Sequence, residues 1–229
     1  MDAIGSGIAF SLLALTVTLA MVSARGLLQF VRGHIRSQLA WGAGLGLAAV
    51  ATGVEFVVYL GVVDLPLLQT YVFLSAAIVG VLSLGCTQVI RSTGFRAGYT
   101  AYTLAACALV GGLSFVTPLP DNMVSGGVIT GNPPVTLIIL STLVTGPATL
   151  VLLGAVVLSL QKAWRWQTVM MGIGAVVLAA GGALYIASFP VALYYAEFLG
   201  VILIFFGLVT LPHVAAIPTG VAKELRTQA

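Results

Sequence analysis

The sequence predicts an all-α integral membrane protein of seven transmembrane helices, N-terminus outside and C-terminus inside. Three observations predict it. Hydrophobic residues make up 60% of the chain and charged residues 7%, at a mean hydropathy of +1.14. A soluble domain carries about 25% charged residues, so this chain cannot cover a water-facing surface. Seven apolar stretches each reach the roughly 20 residues needed to cross a hydrocarbon core. Counted against those stretches, all 9 Lys and Arg residues fall on one side of the membrane.

Span 1 covers residues 4–28. A cleaved signal peptide opens on basic residues. Here only Asp2 precedes the apolar run, and Arg25, Arg32 and Arg36 come late in it or after it, so span 1 is read as a retained helix. Span 2, 39–63, holds ATGVEFVVYLG (51–61), an apolar run with one carboxylate, Glu55. Span 3 is 66–90, and the loop after it carries Arg91 and Arg96. Span 4 is 98–116. The segment 117–134, TPLPDNMVSGGVITGNPP, is too rich in Gly and Pro for a helix. It is read as a cap on the outer mouth with a short hairpin around GGVITG, or as an ordinary connector. Span 5 is 135–160, with Pro147 inside it, and Lys162 and Arg165 follow. Spans 6 and 7 are 166–188 and 190–211, and the tail ends with Lys223 and Arg226. Asp2, Asp64 and Asp121 lie on the opposite side, which has no basic residue. By the positive-inside rule this side faces out, and the chain, 1–229, is one multi-pass domain of the plasma membrane.

WGAGLGLAAVATGVE (41–55) aligns with MGIGAVVLAAGGALY (171–185) at an offset of 130, Gly-x-Gly on Gly-x-Gly. SLG (83–85) aligns with FFG (205–207) at a somewhat shorter offset. Residues 4–90 therefore read as repeated in 135–211, with span 4 (98–116) as linker. Spans 1 and 5 run in the same direction, so the repeats are parallel, about an axis along the membrane normal. The alternative is chance likeness among common Gly, Ala and Val. This three-plus-one-plus-three plan resembles the microbial rhodopsins and the SWEET sugar transporters, in architecture only. The rhodopsins hold retinal on a lysine of their last helix, whereas the lysines here, Lys162 and Lys223, fall in a loop and the tail. The SWEET helices carry a symmetric set of prolines, and Pro147 has no counterpart in span 1.

Glu55 and Glu197 are the two acids within the spans. At a rise of 1.5 Å per residue, Glu55 is placed about 13 Å below Asp64 and Glu197 about 10 Å below Pro190, at matching depth in the outer half. Residues three and four apart share a helix face. That spacing sets Gly44, Ala48, Thr52, Glu55 and Tyr59 on one stripe, Tyr194, Glu197 and Gly200 on another, and Gly174, Gly181, Gly182, Tyr185 and Ser188 on a third. Span 3 adds Gln69, Tyr71 and Ser75, and Gly42 and Gly46 form a GxxxG on a neighbouring face. The expected site is a polar cluster of Glu55, Glu197, Tyr59, Tyr71, Tyr185 and Tyr194, in which phenols donate to carboxyls.

Intramembrane acids are functional-site candidates. The first reading is a transporter or channel for protons, cations or a small solute. The alternative is a sensor or accessory subunit whose protonated acids lock helices together, working as a homo-oligomer or with a separate membrane partner. An enzyme is disfavoured, because no HExxH, GxSxG or P-loop pattern occurs. No cofactor or metal is expected: His34 and His213 do not pair on facing spans for haem. Cys86 and Cys107, both in apolar runs, read as small hydrophobes rather than as ligands or a disulfide. Trp41, Trp164 and Trp166 read as an aromatic belt at the inner interface. The lipid bilayer is the expected surrounding, and the charge placement gives no reason to expect nucleic acid.

Overall fold

The computed structural model describes residues 3–34, 36–87, 90, 92–125, 127–129, 133–162, 169–170, 172–174, 176–177, 199–200, 202–204 and 206. Five long helices run in order: α1 (Ala3–Gly33), α2 (Arg36–Tyr59), α3 (Leu65–Cys86), α4 (Thr93–Val116) and α5 (Val135–Lys162). All five are long and apolar enough to cross a membrane. Short helical pieces within 169–177 and 199–206 lie inside predicted spans 6 and 7. The rest of those spans lies outside the described residues.

Consecutive helices pack antiparallel. Thr16 meets Thr52 and Ser23 meets Gly42 between α1 and α2. Tyr71 meets Glu55 and Leu82 meets Gly44 between α2 and α3. Ser83 meets Tyr99 between α3 and α4, and Tyr102 meets Leu143 between α4 and α5. Helix α3 also packs on α5, so it touches α2, α4 and α5. More than half of each apolar stretch in α2 and α3 is buried, against about a quarter in α1, α4 and α5. Large apolar side chains such as Phe10, Met21, Leu104, Phe115, Val135 and Leu150 point outward from those three. That surface suits hydrocarbon.

Small residues set the α1–α2 distance. A Cβ on Gly26 would lie 3.2 Å from Gly42 Cα, and one on Gly42 would lie 3.0 Å from the Leu27 nitrogen. Gly46 faces Ser23, whose hydroxyl donates to the Gly42 carbonyl at 2.7 Å. The Gly42–Gly46 face therefore packs on α1.

Three sequence expectations are corrected. Helix α2 ends at Tyr59, four residues before the predicted boundary. Gly61 takes φ +96, its N–H donates to the Val58 carbonyl, and the Val62 N–H donates to the Val57 carbonyl. This paired closure around a left-handed glycine stops a helix whatever the hydropathy beyond it. The hairpin in 117–134 exists but starts two residues early: β1 (Val124–Ser125) pairs antiparallel with β2 (Val128–Ile129), Val124 opposite Ile129. Gly127 lies in the turn rather than in a strand, and its φ of +78 suits a tight connection between β1 and β2. Trp41 is a core side chain 5% exposed, packed on Gly85 of α3. Trp164 and Trp166 lie outside the described residues. Cys86 and Cys107 are free and half-buried.

Helix α5 continues through Pro147. Proline lacks an N–H, so the Leu143 carbonyl four residues earlier loses its helical partner. The Tyr102 hydroxyl donates to that carbonyl at 2.6 Å. Tyr102→Phe should lower stability in detergent by about 1 kcal/mol. The cost should vanish in a Pro147→Ala background, where a backbone N–H at position 147 takes the carbonyl. Equal costs in both backgrounds would show that the phenol does not compensate for the proline.

Candidate functional site

The hairpin closes one end of the bundle. Met123, at the end of the short turn Asp121–Met123, is fully buried, and Ile129 is 2% exposed. Both pack with Val54 and Val58 of α2, Leu68 and Tyr71 of α3 and Leu137 of α5. Gly127 sits against Tyr59, where an added Cβ would lie 3.5 Å from the Tyr59 carbonyl oxygen.

Glu55 lies just beneath. With α2 ending at Tyr59, Glu55 lies one turn, about 6 Å along the helix, from the end of α2. It is 4% exposed. The Tyr71 hydroxyl donates to its Oε1 at 2.5 Å. Its Oε2 is fully buried and has no hydrogen-bond partner among the described residues. An unmatched buried polar atom costs about 1–3 kcal/mol. Native structures hold few such atoms, and each calls for an explanation.

One turn deeper, the Thr16 hydroxyl donates to the Thr52 hydroxyl at 2.9 Å, and Thr52 donates in turn to the Ala48 and Ala49 carbonyls, 3.1 Å from each. The Glu55 stripe of α2 thus reaches both neighbours, α1 through Thr52 and α3 through Glu55. The described basic side chains, Arg25, Arg32 and Arg96, belong to the parts of α1 and α4 at the end opposite the hairpin. No salt bridge to Glu55 is present among the described residues.

Of the six expected site residues, the structure brings Glu55 and Tyr71 into direct contact and sets Tyr59, half-buried, one turn above Glu55. Glu197, Tyr185 and Tyr194 lie outside the described residues. Gln69 and Ser75 do not join the site. The Gln69 amide donates to the Phe115 and Thr117 carbonyls at 3.3 Å, closing the end of α4, and Ser75 donates to the Val72 carbonyl of its own helix. Sequence reasoning missed Met123 and Ile129, the apolar cover of the site. Met123 is turned inward by the short turn Asp121–Met123 rather than by strand alternation, and no spacing in the segment announced either residue.

No group of three or more His, Cys, Asp or Glu able to hold a metal exists among the described residues. At the opposite end, a groove of about 380 Å³ between α4 and α5, lined by Phe95, Tyr99, Pro147 and Gly154, is apolar and far from Glu55. No protein-family model, curated protein or solved structure matches this chain.

Proposed function

We propose that this chain is a multi-pass plasma-membrane transporter or channel for protons, cations or a small solute, with Glu55 as its binding carboxyl. One observation carries the reading. Glu55 is buried among apolar helices, bonded through one oxygen to Tyr71 and open at the other. A lock between helices has no use for the open oxygen, whereas a carboxyl that takes up and releases a ligand needs it. Glu197 is the second acid of this reading.

Seven spans, N-terminus out, complete the proposal. The described Lys and Arg residues all belong to helix segments at the end opposite the hairpin, which supports the hairpin facing out. The parallel duplication has a contact in its favour. In α2, Gly42 packs on Leu27 of the preceding helix and Gly44 on Leu82 of the following one. In the second Gly-x-Gly, Gly172 packs on Val156 of α5, and Gly174 packs on Gly200 and Ile204. The alignments made on sequence alone carry Gly44 to Gly174 and Leu82 to Ile204.

Transport is tested by reconstituting the protein into vesicles that enclose a pH-sensitive dye and imposing a pH or cation gradient. The wild type should dissipate the gradient faster than empty vesicles. Equal rates would turn the choice to the second reading, a sensor or accessory subunit. In that reading the Tyr71–Glu55 bond ties α2 to α3, and a second copy or separate membrane partner carries the function. Orientation is tested in a variant with Cys86 and Cys107 removed. Asn122→Cys should react with an impermeant thiol reagent added to intact cells, and Ser92→Cys should not. The reverse pattern would invert the topology.

A further inference from the structure

We infer that the species Glu55 binds and releases is a proton rather than a metal cation. This rests on the ion-carrying reading above and narrows it. The donors among the described residues carry the point. A hard cation such as Ca2+ takes six or more oxygen ligands, and Mg2+ holds near-octahedral geometry. Among the described residues around Glu55, the oxygens are few and engaged. The Tyr71 hydroxyl gives its proton to Oε1. Thr52 accepts from Thr16 and donates into its own helix. The described side chains clustered at this level are apolar: Val54, Val58, Leu68 and Val72 from α2 and α3, with Met123 and Ile129 on the hairpin side. A cation lodged here would exchange most of its hydration shell for hydrocarbon. A proton needs one atom, and Oε2 is that atom.

The step balances simply. Hydronium in water reaching the site gives a proton to Oε2, an O–H bond forms and water is left. Release is the reverse. Access is from the hairpin end, because Glu55 lies one turn from that end of α2 and roughly 28 Å along the helix from Arg36 at the other. Among the described residues, the titratable groups near this site are few. Helix α2 supplies Tyr59 and α3 supplies Tyr71. Helix α1 supplies no titratable group here, only Thr16. The loop between α2 and α3 carries exposed Asp64, and Asp121 lies in the turn before the hairpin. The hairpin and α5 present the apolar Met123, Ile129 and Leu137.

The test is infrared difference spectroscopy on the full chain in lipid nanodiscs. A protonated-carboxyl stretching band should titrate with pH, shift in D2O and disappear in Glu55→Gln. Its midpoint should be the same in Na+, K+ and Ca2+. Glu55→Asp should keep the band at a changed frequency, and Tyr71→Phe should move it, which preserves the assignment if the glutamine variant folds poorly. Absence of any Glu55-dependent band across the pH range would overturn the inference, as would a midpoint that moves with cation concentration. A titrating band in a protein that passes no flux would support proton binding and overturn transport. Cation flux with a cation-shifted band would overturn the proton assignment and leave transport standing.

Discussion

Glu55→Gln should leave the bundle folded and abolish gradient dissipation in reconstituted vesicles. The amide keeps the size of the side chain and an oxygen to accept from Tyr71, and it loses the ability to titrate. The α2–α3 contact at this level therefore survives while the binding atom is lost. Glu55→Leu separates the roles further. It removes the Oε1 that accepts from Tyr71, a bond worth about 1 kcal/mol, so a loss of thermal stability in detergent should accompany the loss of flux. If Glu55 were only a lock, the glutamine variant would match wild type in every assay while leucine destabilised. Full activity in the Glu55→Gln, Glu197→Gln double variant would remove the carboxyls from the mechanism altogether.

Gly42→Leu should be strongly destabilising. A Cβ at Gly42 would already lie 3.0 Å from the Leu27 nitrogen and 3.0 Å from two of its side-chain carbons. The side chain can turn away, but the backbone nitrogen cannot, so α1 and α2 must part. Overpacking of this kind costs roughly 1–3 kcal/mol or more, and the Ser23 bond to the Gly42 carbonyl, worth about 1 kcal/mol, goes with it. Gly112→Leu on α4 is the matched control, since a Cβ there meets nothing within 4 Å. Its unfolding midpoint in detergent should equal that of wild type. Equal midpoints for the two variants would mean that α1 and α2 do not approach closely through Gly42.

Several features of the site were open to a closer reading of the residues. YLGVVD (59–64) places a glycine where a helix can close on itself, and that signal ends α2 at Tyr59 although Val62 and Val63 stay apolar. Hydropathy measures transfer into hydrocarbon and is blind to where backbone bonds stop, so it carried the helix four residues too far. Pro147 likewise announces an orphaned carbonyl at Leu143. That Tyr102 answers it follows from how α4 and α5 are turned toward each other, which no spacing within either helix reveals.

Composition alone determined that the chain offers helices suited to hydrocarbon, because so few charges cannot coat a water-facing surface. Apolar length alone determined α1 through α5 to within a few residues, since backbone polar groups in lipid must be satisfied inside each helix. The tertiary structure decided partners. Tyr71 meets Glu55 while Gln69, two residues earlier, faces the end of α4, because at 3.6 residues per turn two residues rotate a side chain more than halfway round the helix. Trp41 lies in the core, not at the lipid interface, because Gly85 on α3 leaves it room. Which face of a helix meets which neighbour depends on the packing of every helix at once, and an almost uniformly apolar sequence marks those faces only by its glycines and its few polar side chains.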